Sequence, residues 1–462
     1  MQFKIMSMPS LLTLAAFSFG LAQKQVIGYY PSWQWYDRAK LAAPVNLPYD
    51  KVTILNYAFF QPTAEGSIVG TDPWADENIL KGESDWANGG YKSGTSLPDL
   101  AHKHGVKLMV SIGGWTLSDL FPAIAASAQL RAAFADNCVK LIKDYDFDGI
   151  DMDWEYPGLV DHKGTPADKT NFTLLLQAIR SSLDAHGAIT GRRYLLTACM
   201  PATPVSAMEI EATKLIPLLD YFNLMTYDFY GAWDPITGHN APVYAQEKGD
   251  PSFSVTAAFK LYRGFGIPAN KINVGIAFYG RSYAGATSLY GTHSGSDQGN
   301  FSEDDGMPMY YNVMKAMQTG NWTRHWDDRV KAPYIICGAS KSLVSYDDVQ
   351  SVEYKAGYVM VSGAAGAIIW EITGDMMDNR ETPLLNKLNA VFKTGINPSG
   401  GILASYRKAF SRRPTAGSGG GIFQITAGTR DRFVDAAGRD LPILAIDPAG
   451  RLTSPVAGRS AW

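Results

Sequence analysis

Between Gln25 and about Lys393 the chain repeats one pattern, a short apolar β-branched run followed by a longer amphipathic stretch. That succession marks consecutive βα units and therefore a parallel sheet. Strands are predicted over 25–30, 51–59, 106–113, 147–155, 194–200, 221–227, 271–279 and 367–371, with helices over 130–145, 169–186, 251–265 and 382–392 among those between them. The runs are apolar on both faces, as required where helices cover the outside and side chains fill the inside. Eight of them close into an α/β fold of the (β/α)8 or TIM barrel type. The spacing lengthens once, between the seventh and eighth runs. There residues 284–355 contain a helix-like piece at 310–318 and a strand-like piece at 332–337, which we read as a small α+β subdomain inserted on the loop face. The expected division is a leader over 1–22, a barrel over 23–395 that contains this insertion, and a tail over 396–462.

The two ends differ from the middle. Lys4, an apolar run from Leu11 to Leu21 and small residues at Gly20 and Ala22 read as a secretory signal peptide, which implies an extracellular protein. The run is well short of the ~20 residues that span a bilayer, so no membrane anchor is expected. After Thr394 the composition turns to Gly, Ser, Arg and Ala, including Ser418-Gly419-Gly420-Gly421. Related pieces at Asp435-Ala436-Ala437-Gly438-Arg439 and Asp447-Pro448-Ala449-Gly450-Arg451 fit a β-hairpin repeat or a disordered tail. Sequons begin at Asn171, Asn300 and Asn321. Cys138, Cys199 and Cys337 are too few for a disulfide framework and are expected mostly as buried thiols, with a Cys199–Cys337 or Cys138–Cys199 bridge left open. A net charge of −3 gives no reason to expect a nucleic-acid or anionic-membrane partner, and a monomer is expected. The seven histidines lack metal-ligand spacing, so neither a metal nor a cofactor is expected.

The sharpest signal is Asp148-Gly149-Ile150-Asp151-Met152-Asp153-Trp154-Glu155-Tyr156-Pro157. In a strand, residues two apart share a face, which turns Asp151, Asp153 and Glu155 toward the barrel interior and Ile150, Met152 and Trp154 away from it. Burying three carboxylates together is costly unless they are hydrogen-bonded or share protons, so a purely structural purpose is unattractive. A calcium loop does not fit, because the glycine comes second and the intervening residues are apolar. Glu155 is nearest the C-terminal rim, where barrel active sites lie. Its like-charged neighbours and burial should raise its pKa and keep it protonated, which suits a general acid.

This stretch resembles the Asp-x-x-Asp-x-Asp-x-Glu signature of family 18 glycoside hydrolases, the chitinase family. Further matches are Ser111-Ile112-Gly113-Gly114-Trp115, Met225-Thr226-Tyr227-Asp228, Phe278-Tyr279-Gly280-Arg281 and Trp370, so the resemblance covers nearly the whole barrel. It implies a secreted chitinase that cuts β-1,4 links of chitin and chitooligosaccharides with retention. The nucleophile is the substrate's own N-acetyl oxygen, without a second enzyme carboxylate. By similarity Glu155 is the acid and later the base, Asp153 stabilises the acetamido group as it closes to an oxazolinium ion, and Asp151 exchanges a hydrogen bond and proton with Asp153. Tyr227 and Asp228 would hold the same acetamido group. Trp370 resembles the floor beneath the distorted sugar, Trp115 and Trp233 match aromatic positions of neighbouring subsites, and Tyr29, Phe59, Met225 and Arg281 fall at cleft-lining positions. Barrel packing is the competing reading for Phe59 and Met225. The rival functions are a chitin-binding lectin of the same fold, which typically lacks the catalytic Glu, and an endo-β-N-acetylglucosaminidase acting on N-glycans.

Overall fold

The computed structural model describes residues 23–302, 306–394, 423–425 and 432–434. In chain order the strands of the first unit are β1 Gln25–Pro31, β2 Ile54–Pro62, β3 Ile68–Gly70, β4 Lys107–Gly113, β5 Gly149–Asp153, β6 Leu195–Met200, β7 Tyr221–Leu224, β8 Ile272–Ala277, β9 Arg281–Ala284, β10 Thr323–Asp327, β11 Ala332–Cys337, β12 Ser342–Ser345 and β13 Gly366–Trp370. Eight of these pair in parallel in the order β1, β13, β8, β7, β6, β5, β4, β2, and a β1–β2 pairing closes the ring. The first strand is thus sealed against the last, with Gln25 opposite Gly366. β3 adds to β2 antiparallel as a short hairpin arm that the apolar pattern did not signal.

Every predicted barrel strand has its counterpart, with shifted ends. β2 begins at Ile54 because Tyr49–Lys51 is a 3-10 turn. β5 stops at Asp153 and β7 at Leu224, so the Glu155 and Tyr227 ends of the predicted runs belong to loops. Helices lie between the strands and bury one stripe each. Ala128–Tyr145, for example, starts where Ser127 Oγ accepts the Leu130 amide, ends at Asp146 in the left-handed region, and buries Phe134, Cys138, Leu141 and Ile142. The main core fills the layer between barrel and helices. The barrel interior is mixed: Ile27, Met109 and Ile368 share it with buried Asn56, Ser111, Thr197, Asn223 and Asn273.

The lengthened connection forms a separate antiparallel sheet in the order β10, β11, β12, β9. It opens at Arg281, which pairs with Ser345, and holds the helix Tyr310–Gln318 between β9 and β10. The next helix, Val349–Ser362, starts at an Asp348/Ser351 capping box and packs on Pro383–Thr394 and β8, as a barrel helix does. All three cysteines are buried and free, so neither candidate disulfide forms. Among the described residues no helix is long and apolar enough to cross a membrane. Residues 407–462 cluster as a second unit, in which Phe423–Ile425 and Arg432–Val434 pair antiparallel. The signal-peptide reading and the repeat at 435–439 and 447–451 lie outside the described residues.

Candidate active site

Strand β5 carries the acids because its side chains alternate between two environments. Ile150, Met152 and the following Trp154 enter the helix-covered core, where Trp154 stacks on Phe121 at 5.5 Å. Asp151 turns inward and is fully buried. Neutral donors hold it: the Tyr29 hydroxyl at 2.8 Å, Ser111 Oγ at 2.9 Å, Asn223 Nδ2 at 3.1 Å, and Thr197 Oγ1. Burial raises its pKa, and these four hydrogen bonds restrain the rise.

Asp153 lies one step nearer the rim. It too is buried, and its Oδ1 has no hydrogen-bond partner among the described residues. Burial and the charges of Glu155 and Asp151 push its pKa well above the carboxylate range, opposed by a hydrogen bond from the Cys199 thiol. No hydrogen bond joins Asp151 to Asp153 among the described residues, because the Asp151 oxygens are already taken by hydroxyl and amide donors. A proton exchange between the two acids therefore requires one of those donors to let go first.

Glu155 is set by the backbone beyond the strand. Its amide donates to Ser118 Oγ at 2.9 Å, and that buried hydroxyl donates to the Gly114 carbonyl at 2.9 Å. The Gly114 amide donates in turn to the Asp153 carbonyl at 2.7 Å. This lacing needs the end of β4 to touch the end of β5. Gly113 permits it with a φ of +116°, and a Cβ there would stand 2.1 Å from the Asp153 carbonyl oxygen. Glu155 is itself partly exposed. Burial is the main reason its pKa rises to about 7; the Asp228 charge adds to this, while hydrogen bonds from the Tyr156 side chain and the Trp115 amide oppose it.

The other expected residues surround this trio. Tyr227 packs edge-on to Tyr279 at 5.9 Å, and burial, reinforced by the charges of Asp153 and Asp228, raises its hydroxyl pKa. Asp228 has a φ of 56° and donates its amide to Asn240 Oδ1 at 2.9 Å. Its Oδ1 accepts from the Tyr279 hydroxyl at 2.8 Å and Arg281 Nε at 2.7 Å. The Arg281 guanidinium also lies 4.9 Å from the centre of the exposed Trp233 ring. Trp370, at the end of β13, stacks on Phe59 at 5.5 Å and 18°, with Tyr29 at 5.8 Å. Met225 joins Phe59 and Tyr29 in the apolar cluster at this end of the barrel. Trp115 stands half-exposed beside Tyr156. All the expected residues thus fall into one connected set at the C-terminal side of the barrel.

A sequence profile of glycosyl hydrolases family 18 matches residues 25–375. The chain belongs to glycosyl hydrolases family 18. It is a glycoside hydrolase by that membership. Chitinase A1 of Niallia circulans is 35% identical over 416 residues, spanning 80% of this chain and 59% of that protein. Chitinase 1 of Aphanocladium album is 35% identical over 355 residues, spanning 74% of this chain and 80% of its own. The solved structure of Ostrinia furnacalis Group IV chitinase in complex with allosamidin superimposes with a TM-score of 0.72 at 28% identity, covering 80% of this chain and 99% of that one.

Several site residues of this family 18 chain escaped the sequence reading: Thr197, Cys199, Asn223, Ser118, Asn240, Tyr156 and Trp33. Thr197 and Asn223 did leave a signal, as polar residues at inward positions of otherwise apolar runs. Trp33 left none; it lies on a 3-10 turn after β1 and meets Phe59 at 6.3 Å and Trp370 at 6.4 Å. Among the described residues no group of three or more His, Cys, Asp or Glu is placed to hold a metal ion.

The raised Glu155 pKa fixes an expected pH dependence. A general acid must carry its proton to act, and in that role Glu155 would carry it below about 7. The kcat/KM profile should therefore fall tenfold per pH unit above about 7, and Asp228→Asn, which removes a neighbouring charge, should move that limb toward lower pH. A profile still flat at pH 9 would exclude Glu155 as the acid.

Proposed function

We propose that the chain is a secreted chitinase that hydrolyses β-1,4 links between N-acetylglucosamine residues with retention, using the substrate's acetamido group as nucleophile. The observation that carries this reading is the buried Asp153 carboxyl, whose Oδ1 lacks a partner among the described residues while a protonated Glu155 lies beside it. A buried polar atom without a partner is costly, and an incoming acetamido N–H is a donor of the right kind to satisfy it.

The chemistry follows in two displacements. Glu155 gives its proton to the glycosidic oxygen as the C1–O bond breaks, and the acetamido carbonyl oxygen closes onto C1 from the opposite face. Asp153 passes its proton to Asp151 once one of the Asp151 donors lets go, and its carboxylate then accepts the acetamido N–H and stabilises the resulting oxazolinium ion. The Glu155 carboxylate then takes a proton from water as that water attacks C1 and opens the ring. Two inversions give retention. Tyr227 and Asp228 border the space the acetamido group needs, and Trp370 supplies the stacking floor. The exposed Trp74, on the helix Pro73–Leu80 that follows β3, and Trp86, on the loop after that helix, stack at 6.0 Å and offer further apolar surface for a long neutral polymer.

The test is turnover of N-acetylglucosamine oligomers, the same oligomers fully N-deacetylated, cello-oligomers and an N-glycoprotein by the purified protein. We expect cleavage of the first alone, with the β-anomer as the initial product. Binding without cleavage would point to a lectin, and release of glycans from the glycoprotein to the endoglycosidase reading.

A further inference from the structure

Trp115 is a half-exposed indole whose residue is tied to the acid, since its backbone amide hydrogen-bonds to the Glu155 carboxylate. An exposed Trp at a cleft is a useful stacking surface only if something holds its ring, because free χ rotation would have to be frozen at each binding event. Two neighbours touch this ring. Tyr156 meets it at 6.4 Å, and His162 meets it edge-on at 4.7 Å and 72°.

His162 is itself locked. Its Nδ1 lies 2.9 Å from Asp119 Oδ1, while Lys163 Nζ lies 3.1 Å from Asp119 Oδ2. The lysine and the histidine hold the Asp119 carboxyl below its usual range, so the carboxylate accepts and Nδ1–H donates. The loop that presents His162 is clipped as well. The buried Asp168 carboxylate takes the Gly158 amide at 3.1 Å, the Thr165 amide at 2.8 Å and the Thr165 hydroxyl at 2.9 Å. Asp119 and Trp115 lie on the loop after β4, and His162 on the loop after β5, so the contact staples together two loops at the C-terminal side of the barrel.

We propose that His162, oriented by Asp119, is a positioning residue that holds the Trp115 ring as a platform for a sugar adjacent to the cut. The assignment rests on the chitinase reading above. His162 contacts no reacting atom. Its effect falls on substrate affinity, because the Trp115 backbone is fixed separately through Gly114 and Glu155.

The experiment measures KM and kcat on a chitin oligomer for the wild type, His162→Gln, Asp119→Asn, Trp115→Ala and the Trp115→Ala/His162→Gln double variant. Loss of one aromatic contact predicts a roughly three- to tenfold rise in KM for His162→Gln, with kcat changed by less than about twofold. Asp119→Asn should show the same split to a smaller degree. In the Trp115→Ala background, His162→Gln should have no further effect. A full additional rise in KM there, or an unchanged KM in the single variant, would overturn the proposal. Far-UV and thermal-melt controls on each variant keep a folding defect from imitating either result. A wild type inactive on the oligomer would instead refute the chitinase reading.

Discussion

Glu155→Gln is expected to lower kcat on a chitin oligomer by roughly a thousandfold or more while leaving oligomer binding within a few-fold of wild type, since proton transfer alone is worth ~10²–10⁴. The glutamine keeps the shape and the Ser118-anchored backbone, but it has no proton to give and no carboxylate to activate water. A second readout comes from stability. A carboxyl whose folded pKa is raised loses stability as pH climbs from its unfolded value, 4.5, through its folded value of about 7. Glutamine does not ionise, so the variant should melt higher than wild type above pH 7 and alike near pH 4. Retained activity would remove Glu155 from the mechanism. Equal melting curves at both pH values would mean that the carboxyl is not held against ionisation.

Gly113→Ala carries the largest expected structural effect. A methyl there would meet the Asp153 carbonyl oxygen at 2.1 Å and the Phe121 ring at 2.9 Å, in a backbone conformation that L residues rarely adopt. Neither the strand end nor the buried ring has room to move, so the cost should be about 3 kcal/mol or more, or the protein should fail to accumulate. Gly105 supplies the control, with a φ of +72° and nothing within 4 Å of where its methyl would stand. There alanine should cost only the ~1–2 kcal/mol of the left-handed backbone. Thermal melts of the two variants side by side would check the contrast, and equal shifts would show that β4 and β5 can separate at no cost.

The fold was legible because barrel strands buried on both faces cannot hide their apolar runs. Their ends were less so: nothing in alternating Asp151, Asp153 and Glu155 reveals that the sheet hydrogen bonding stops at Asp153. The acids were legible because three carboxylates facing one way are too costly to be accidental. What neutralises them was not. No Lys or Arg stood near in sequence, and the donors to Asp151 come from Tyr29, Ser111, Thr197 and Asn223 on four other strands. Such partners are assembled by barrel closure, which one-dimensional spacing does not encode. His162 was equally silent, since its neighbour Trp115 is on another loop and its contact is a matter of ring geometry.

The seam where β1 meets β13 also sets a timetable for the newborn chain. Tyr29 leaves the ribosome among the first residues of the barrel and Trp370 among the last, yet the two rings must meet at 5.8 Å. Until then β1 has only β2 beside it, and an open parallel sheet exposes an unpaired edge that a neighbouring nascent chain could occupy. The aromatic surface that Trp370 makes with Tyr29 and Phe59, the floor proposed for the sugar, therefore cannot exist on any nascent fragment that stops before Trp370. Asp151, Asp153 and Glu155 are translated early, but on the reading proposed above they have no closed barrel to act in until its final strand has been made.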